Sequence, residues 1–173
     1  TITIPEGQNI STLILPFDAE LPEGVSASTI TDIGTTDSVQ WTMCDEPSST
    51  VRANTPYIIM AEAGDYTYRG VPHAIQPSYQ EGLLLGQHTP YTTEGGNEYT
   101  LTEDDGFRVF RQTDGQTVAA SECYLKSDTT NDIIYVSKDD ADGIKAIQNS
   151  NFKIQNEETI YDLNGRKIVN CKL

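Results

Sequence analysis

The run Tyr57-Ile58-Ile59-Met60-Ala61 decides how this chain is read. Successive side chains of a β-strand point to opposite faces of their sheet. A strand with one wet face alternates apolar and polar residues. This run is apolar at every position, so it predicts a central strand whose two faces both meet protein. Gly64-Asp65 follows and reads as a turn into Tyr66-Thr67-Tyr68, making a hairpin with the first run. Upstream, Ile10 to Pro16 is a β-branched, apolar stretch that the proline closes. Val25 to Thr31 alternates Val25, Ala27 and Thr29 against Ser26, Ser28 and Ile30.

Downstream the same punctuation continues. Leu83-Leu84-Leu85 is bounded by Gly82 and Gly86, and Glu98 to Thr102 is a short strand. Phe107-Arg108-Val109-Phe110 opens a hairpin with its turn at Asp114-Gly115 and a return strand from Thr117 to Leu125. That return strand places Ala119, Ser121, Cys123 and Leu125 on one face, with Ala120, Glu122, Tyr124 and Lys126 on the other. Ile133 to Val136 is the last strong strand. No long stretch carries a helical period; one short helix fits at Ala141 to Gln148, weakened by Gly143. The expected fold is all-β: a two-sheet, jelly-roll-like β-sandwich over residues 1–137. A polar linker rich in Asn, Gln and Asp is expected over 138–158. A C-terminal β-hairpin is expected over 159–173, because Asn164-Gly165 supplies the positive φ that both positions of a type I′ turn require.

Charge removes whole classes of partner. Among 173 residues, 26 are acidic and 11 basic, a net charge of −15. Such a chain repels phosphate backbones and anionic membrane surfaces, so neither nucleic acid nor a membrane is an expected partner. No apolar run approaches the ~18 residues of a membrane span. From the abrupt start at Thr1-Ile2-Thr3, a mature or trimmed chain is expected.

Signatures of chemistry are sparse. There is no Gly-x-Ser-x-Gly elbow, and His73 and His88 stand in no motif. Cys44, Cys123 and Cys171 lack zinc-ligand spacing; two of them can pair as a disulfide, or all three can remain thiols. Asp139-Asp140-Ala141-Asp142-Gly143 invites a calcium-loop reading. With Gly143 at the sixth loop position, however, Lys138 and Asn149 fall where Asp and Glu are required. No catalytic residue, metal ligand or cofactor is nominated, and the chain is not expected to be an enzyme. Binding needs less: an aromatic platform and a few polar groups. Trp41, with Tyr66, Tyr68 and Tyr91 in or near hairpins and loops, forms the nominated ligand-binding set. The competing assignment is a core tryptophan and cross-strand tyrosine packing.

Two stretches resemble known families. Ile160-Tyr161-Asp162-Leu163-Asn164-Gly165-Arg166-Lys167 resembles the opening of the C-terminal sorting domain of the type IX (Por) secretion system of Bacteroidetes; the later strands of that domain do not follow. Leu13-Ile14-Leu15-Pro16-Phe17, Pro22-Glu23-Gly24-Val25 and Ala53-Asn54-Thr55-Pro56-Tyr57-Ile58-Ile59 occur in that order. Ala63-Gly64-Asp65-Tyr66-Thr67-Tyr68, Leu85-Gly86, Gly106-Phe107 and Cys123-Tyr124-Leu125 follow. Together they resemble a β-domain near the C-termini of large exported Bacteroidetes proteins. The resemblances imply an extracellular or outer-membrane-associated location in a Gram-negative bacterium. The expected role is a non-catalytic accessory module, spacer or adhesive, with glycans or host or surface proteins as partners. The alternative is a glycan-binding module built on Trp41 and loop tyrosines; a hydrolase ranks third.

Overall fold

The computed structural model describes residues 1–139 and the backbone pairing of residues 160–161 and 167–168. In chain order the strands are β1 (Ile2–Ile4), β2 (Ile10–Leu13), β3 (Ala19–Glu20), β4 (Ser26–Ser28), β5 (Ile30–Thr36) and β6 (Val39–Cys44). Next come β7 (Thr50–Val51), β8 (Tyr57–Met60), β9 (Gly64–Tyr66), β10 (Tyr79–Glu81), β11 (Leu84–Gly86) and β12 (Tyr91–Asp104). The last are β13 (Phe107–Val118), β14 (Cys123–Lys126), β15 (Ile133–Tyr135), β16 (Ile160–Tyr161) and β17 (Lys167–Ile168). The chain is all-β, as the short β-branched runs require.

The apolar run at residue 57 becomes β8, the middle strand of a three-stranded sheet in the order β2-β8-β4. Both of its faces are covered from Tyr57 to Ile59, while Met60 at its end is exposed. Ile58 enters one core cluster with Ile10, Ile14, Phe110, Leu125 and Ile134. Tyr57 and Ile59 enter a second with Ile4, Leu13, Ala27 and Val51. The small sheet is therefore a wall between two cores, and the alternation of side-chain direction sends neighbouring isoleucines into different ones.

The first core is covered by an eight-stranded sheet in the order β10-β11-β14-β12-β13-β15-β6-β5. Its neighbours are antiparallel except β15 and β6, which run parallel and meet through the pair Tyr135–Trp41. Residues of the two-stranded pairs β1–β9 and β3–β7 contribute to the second core.

Two expected hairpins are placed differently. The turn of the long β12–β13 hairpin is Asp105-Gly106, with φ of 49° and 83°, and not Asp114-Gly115. Both Asp-Gly pairs offer the left-handed conformation, so the local signal is the same at each. At the second pair, Gly115 spends its positive φ inside β13, next to a large irregularity. Glu94 pairs with Asp114 and Tyr99 with Gln112, which leaves residues 95–98 opposite Thr113 alone. The expected return strand from Thr117 to Leu125 is split accordingly. Val118 ends β13, Ser121 turns the chain at φ 70°, and β14 pairs with β11 and β12. Glu98 to Thr102, expected as a separate strand, lies within β12. Gly64-Asp65 is also not a turn back onto β8: Gly64–Tyr66 pairs with Ile2–Ile4. The partner is set by a chain segment about sixty residues away, which local turn chemistry does not register.

Gly82 shows a turn that local chemistry does specify. Glu81 pairs with Leu84 across the two-residue connection Gly82-Leu83, and Gly82 has φ 57° at its first position. A Cβ there would lie 2.1 Å from the Ile30 carbonyl oxygen, which accepts the Leu83 N–H. Gly82→Ala should lower stability in a urea titration by at least the ~1–3 kcal/mol of a strained residue; a change under ~0.5 kcal/mol would mean the turn relaxes freely.

At the C-terminus Ile160 pairs with Ile168 and Tyr161 with Lys167, antiparallel, on either side of Asn164-Gly165. A strict two-residue turn there would set Ile160 opposite Val169, so the register is displaced by one residue. The expected helix at Ala141 to Gln148 and nearly all of the linker lie outside the described residues. Among the described residues no helix is long and apolar enough to cross a membrane.

Candidate functional site

Strands β5 and β6 are joined by Asp37-Ser38, with φ of 48° and 71°, a two-residue turn flanked by the pair Thr36–Val39. That register sets Gly34 opposite Trp41. The pairing has a steric reason: a Cβ on Gly34 would lie 2.3, 2.4 and 2.7 Å from Cε2, Cζ2 and Nε1 of the indole. The ring lies across the space a side chain would fill. Thr42, the next residue, is buried, and its hydroxyl donates to the Val136 carbonyl at 2.7 Å. Val136 belongs to the first core, so Thr42 points inward and Trp41 points to the outer surface of the sheet.

Two further rings share that surface. Tyr135 is the register partner of Trp41, and Phe107 meets Tyr135 edge-on at 6.1 Å between centroids and 83° between planes. All three rings are half-buried, and none belongs to either core cluster. Val109, opposite Tyr135, is fully buried. The Arg111–Asp104 ion pair crosses the Thr102–Val109 pair and adds to its cover. The Lys138 ammonium sits 5.6 Å from the centroid of the Trp41 ring, a cation–π contact. Beside Tyr135 lies a shallow depression of about 430 Å³, lined among others by Ser38, Gln40, Asn131 and Asp132. Its shape is held by hydrogen bonds: Asn131 Nδ2 donates to the Ser38 carbonyl at 2.7 Å, and the Thr129 hydroxyl donates to Gln40 Oε1.

A second cavity, a cleft of about 320 Å³, opens between β2, the β12–β13 hairpin and the start of β14. Its lining includes Thr12, Thr102, Arg108, Arg111 and Glu122 and no aromatic ring. Several of its polar groups already serve the fold. Arg108 Nη2 donates to the Ile10 carbonyl at 3.1 Å, and desolvation holds its pKa below the usual arginine value. The Thr12 hydroxyl both donates to the Cys123 carbonyl and accepts the Cys123 N–H.

The nominated residues are dispersed. Tyr66 lies on β9 opposite Ile2, packs with Tyr68 on the second core, and donates its hydroxyl to the Glu62 carbonyl at 2.8 Å. Tyr91 stacks on Tyr124 at 4.8 Å and 17°, and its hydroxyl donates to both carboxylate oxygens of Glu98, at 3.0 and 3.2 Å. Within the sheet, β13 and β15 separate the strand of Tyr91 from that of Trp41. The structure therefore does not unite Trp41 with Tyr66, Tyr68 or Tyr91. Its aromatic neighbour is Tyr135, with Phe107 beyond it; both lie within strands that the sequence predicts. Alternation with Ile134 and Val136 marks Tyr135 as outward-facing. Only the register shows that it lies beside Trp41.

The groups capable of chemistry are held apart. His88 Nε2 lies 2.8 Å from Asn54 Oδ1, its ring meets Tyr79 edge-on, and desolvation lowers its pKa. His73 is 3.9 Å from Asp18 on the open surface. Cys123 is buried in the first core, where desolvation pushes its thiol up to about 12. Cys44 is exposed, so these two are separate free thiols; Cys171 lies outside the described residues. Glu98 is only 5% exposed and also accepts the Glu94 N–H at 2.9 Å. No group of three or more His, Cys, Asp or Glu placed to hold a metal ion occurs among the described residues. No protein-family model matches this chain, and no curated protein or solved structure matches it.

Proposed function

We propose that this chain is a non-catalytic accessory module of an exported bacterial protein and that its role is adhesive. The observation that carries this reading is the outer aromatic row of Trp41, Tyr135 and Phe107, which belongs to neither core. A spacer needs only the two cores. Large amphipathic rings on an outer face are the side chains that recognition surfaces favour. The exported context is supported by the likeness of the 160–167 segment to a sorting signal and by the antiparallel pairing on either side of its Asn-Gly. A charge of −15 suits a soluble surface module. The partners that fit are glycans, or proteins of a host or neighbouring surface. Hydrolysis has less support, because His88 is engaged by Asn54 and the Cys123 thiol is buried and protonated at neutral pH.

The test is a thermal scan of the chain with calcium, with chelator and with a panel of soluble glycans, run alongside adhesion to glycan-coated and protein-coated surfaces. A ligand at ~100 times its Kd should stabilise by about 2.7 kcal/mol. The expected result is a raised midpoint or retained adhesion with at least one ligand, reduced by Trp41→Ala. A flat midpoint together with no adhesion to any surface would leave the spacer role alone.

A further inference from the structure

We infer that Trp41 is the stacking platform for a neutral saccharide chain, which binds by taking the place of the Lys138 ammonium over the indole. This inference rests on the adhesive reading and names its ligand class.

The argument begins at Gly34. Three adjoining ring atoms of Trp41 lie within 2.7 Å of the point a Cβ would occupy. Glycine therefore lets the ring settle onto the strand, with one face against the backbone and the other directed outward. The outward face attracts positive charge, as the contact of Lys138 Nζ at 5.6 Å shows. The electrostatic source is the negative π face of the ring. The C–H face of a pyranose carries partial positive charge and is flat and weakly hydrated, so it meets the same requirement without the desolvation an ammonium imposes. Lys138 is then a stand-in that keeps the indole covered while no ligand is bound.

The surroundings supply what a sugar needs at its edges. Asp132 lines the adjoining depression with a carboxylate for ring hydroxyls, beside the Gln40 and Asn131 amides that hold its shape. Tyr135 and Phe107 continue the row across β15 and β13, on strands spaced ~4.8 Å apart. A row fits an oligomer better than a single sugar. The charge of −15, with Asp132 in the lining, disfavours an acidic polysaccharide.

Trp41 is the only tryptophan, so its fluorescence reports this site and nothing else. The probes are cellohexaose, xylohexaose, maltohexaose, mannohexaose and chitohexaose, with polygalacturonate as the acidic control. At least one neutral oligosaccharide should change the emission along a saturable curve, and the control should not. By calorimetry Trp41→Ala should weaken binding at least about tenfold. Trp41→Phe, which keeps an aromatic face, should retain binding, and Gly34→Ala should impair it by displacing the ring. Lys138→Ala should tighten binding; weaker binding would show that Lys138 holds the ligand itself and overturn the exchange. Calorimetric binding with unchanged emission and an unaffected Trp41→Ala variant would overturn the platform while leaving the adhesive reading in place. Failure of every neutral oligosaccharide would overturn the ligand class, and the surface-adhesion assay would decide the adhesive reading separately.

Discussion

Ile58→Ala and Ile59→Ala will each remove about 2–5 kcal/mol of stability, the cost of truncating a buried isoleucine without collapse of its site. Ile58 is 2% exposed and Ile59 0%. The two residues are adjacent in sequence but open cavities in different cores. The instructive quantity is the shape of the urea transition. The β2-β8-β4 sheet is shared by both clusters, so neither core can lose its packing without exposing a face of that sheet. Each variant should unfold in one transition with an unchanged denaturant dependence. A second transition appearing in Ile59→Ala alone would show that the β1–β9 and β3–β7 side opens as a separate unit.

Alkali will unfold the protein cooperatively above pH 10, and Glu98→Ala will lower stability by about 1.5–3 kcal/mol at neutral pH. Tyr91 has its pKa raised above 10.0, first by desolvation and then by its hydrogen bond to Glu98. Tyr68, Tyr99 and Tyr124 are raised as well, each chiefly by desolvation. A raised folded-state pKa means the unfolded chain loses its proton first as pH rises. The stabilisation is fully present below the unfolded value near 10 and is lost as pH climbs through the folded values. Phenolate absorbance should therefore contain a component that rises together with the loss of circular dichroism. All phenols titrating near pH 10 with the strand signal intact would contradict this. The stability cost of Glu98→Ala follows from removing the charged acceptor shared by the Tyr91 hydroxyl and the Glu94 N–H. That carboxylate sits at the edge of the irregular segment 95–98. Its loss should also raise hydrogen exchange there.

Strand identity was legible because it is written locally. Ile10–Leu13, Tyr57–Met60 and Ile133–Tyr135 are β-branched runs whose composition and alternation suffice. Which strand pairs with which was much less legible. Asp105-Gly106 and Asp114-Gly115 carry one chemical signal, yet only the first closes a hairpin. The candidate site repeats the lesson. Trp41 could be singled out by its residue type, but its neighbours could not. Tyr66, Tyr68 and Tyr91 are taken up by the second core, by Tyr124 and by Glu98.

By itself, the sequence determined the all-β class, the central strand at Tyr57–Met60 and the net acidity of the chain. Each of these depends on interactions within a few residues or on a sum over the whole chain. Tertiary structure decided the division of the core into two clusters, the joining of β15 to β6, and the row of Trp41, Tyr135 and Phe107. Trp41 and Tyr135 are 94 positions apart in the numbering and meet through a single parallel pair. Register between distant strands is set by how whole faces pack, a collective property that no local pattern of residues carries.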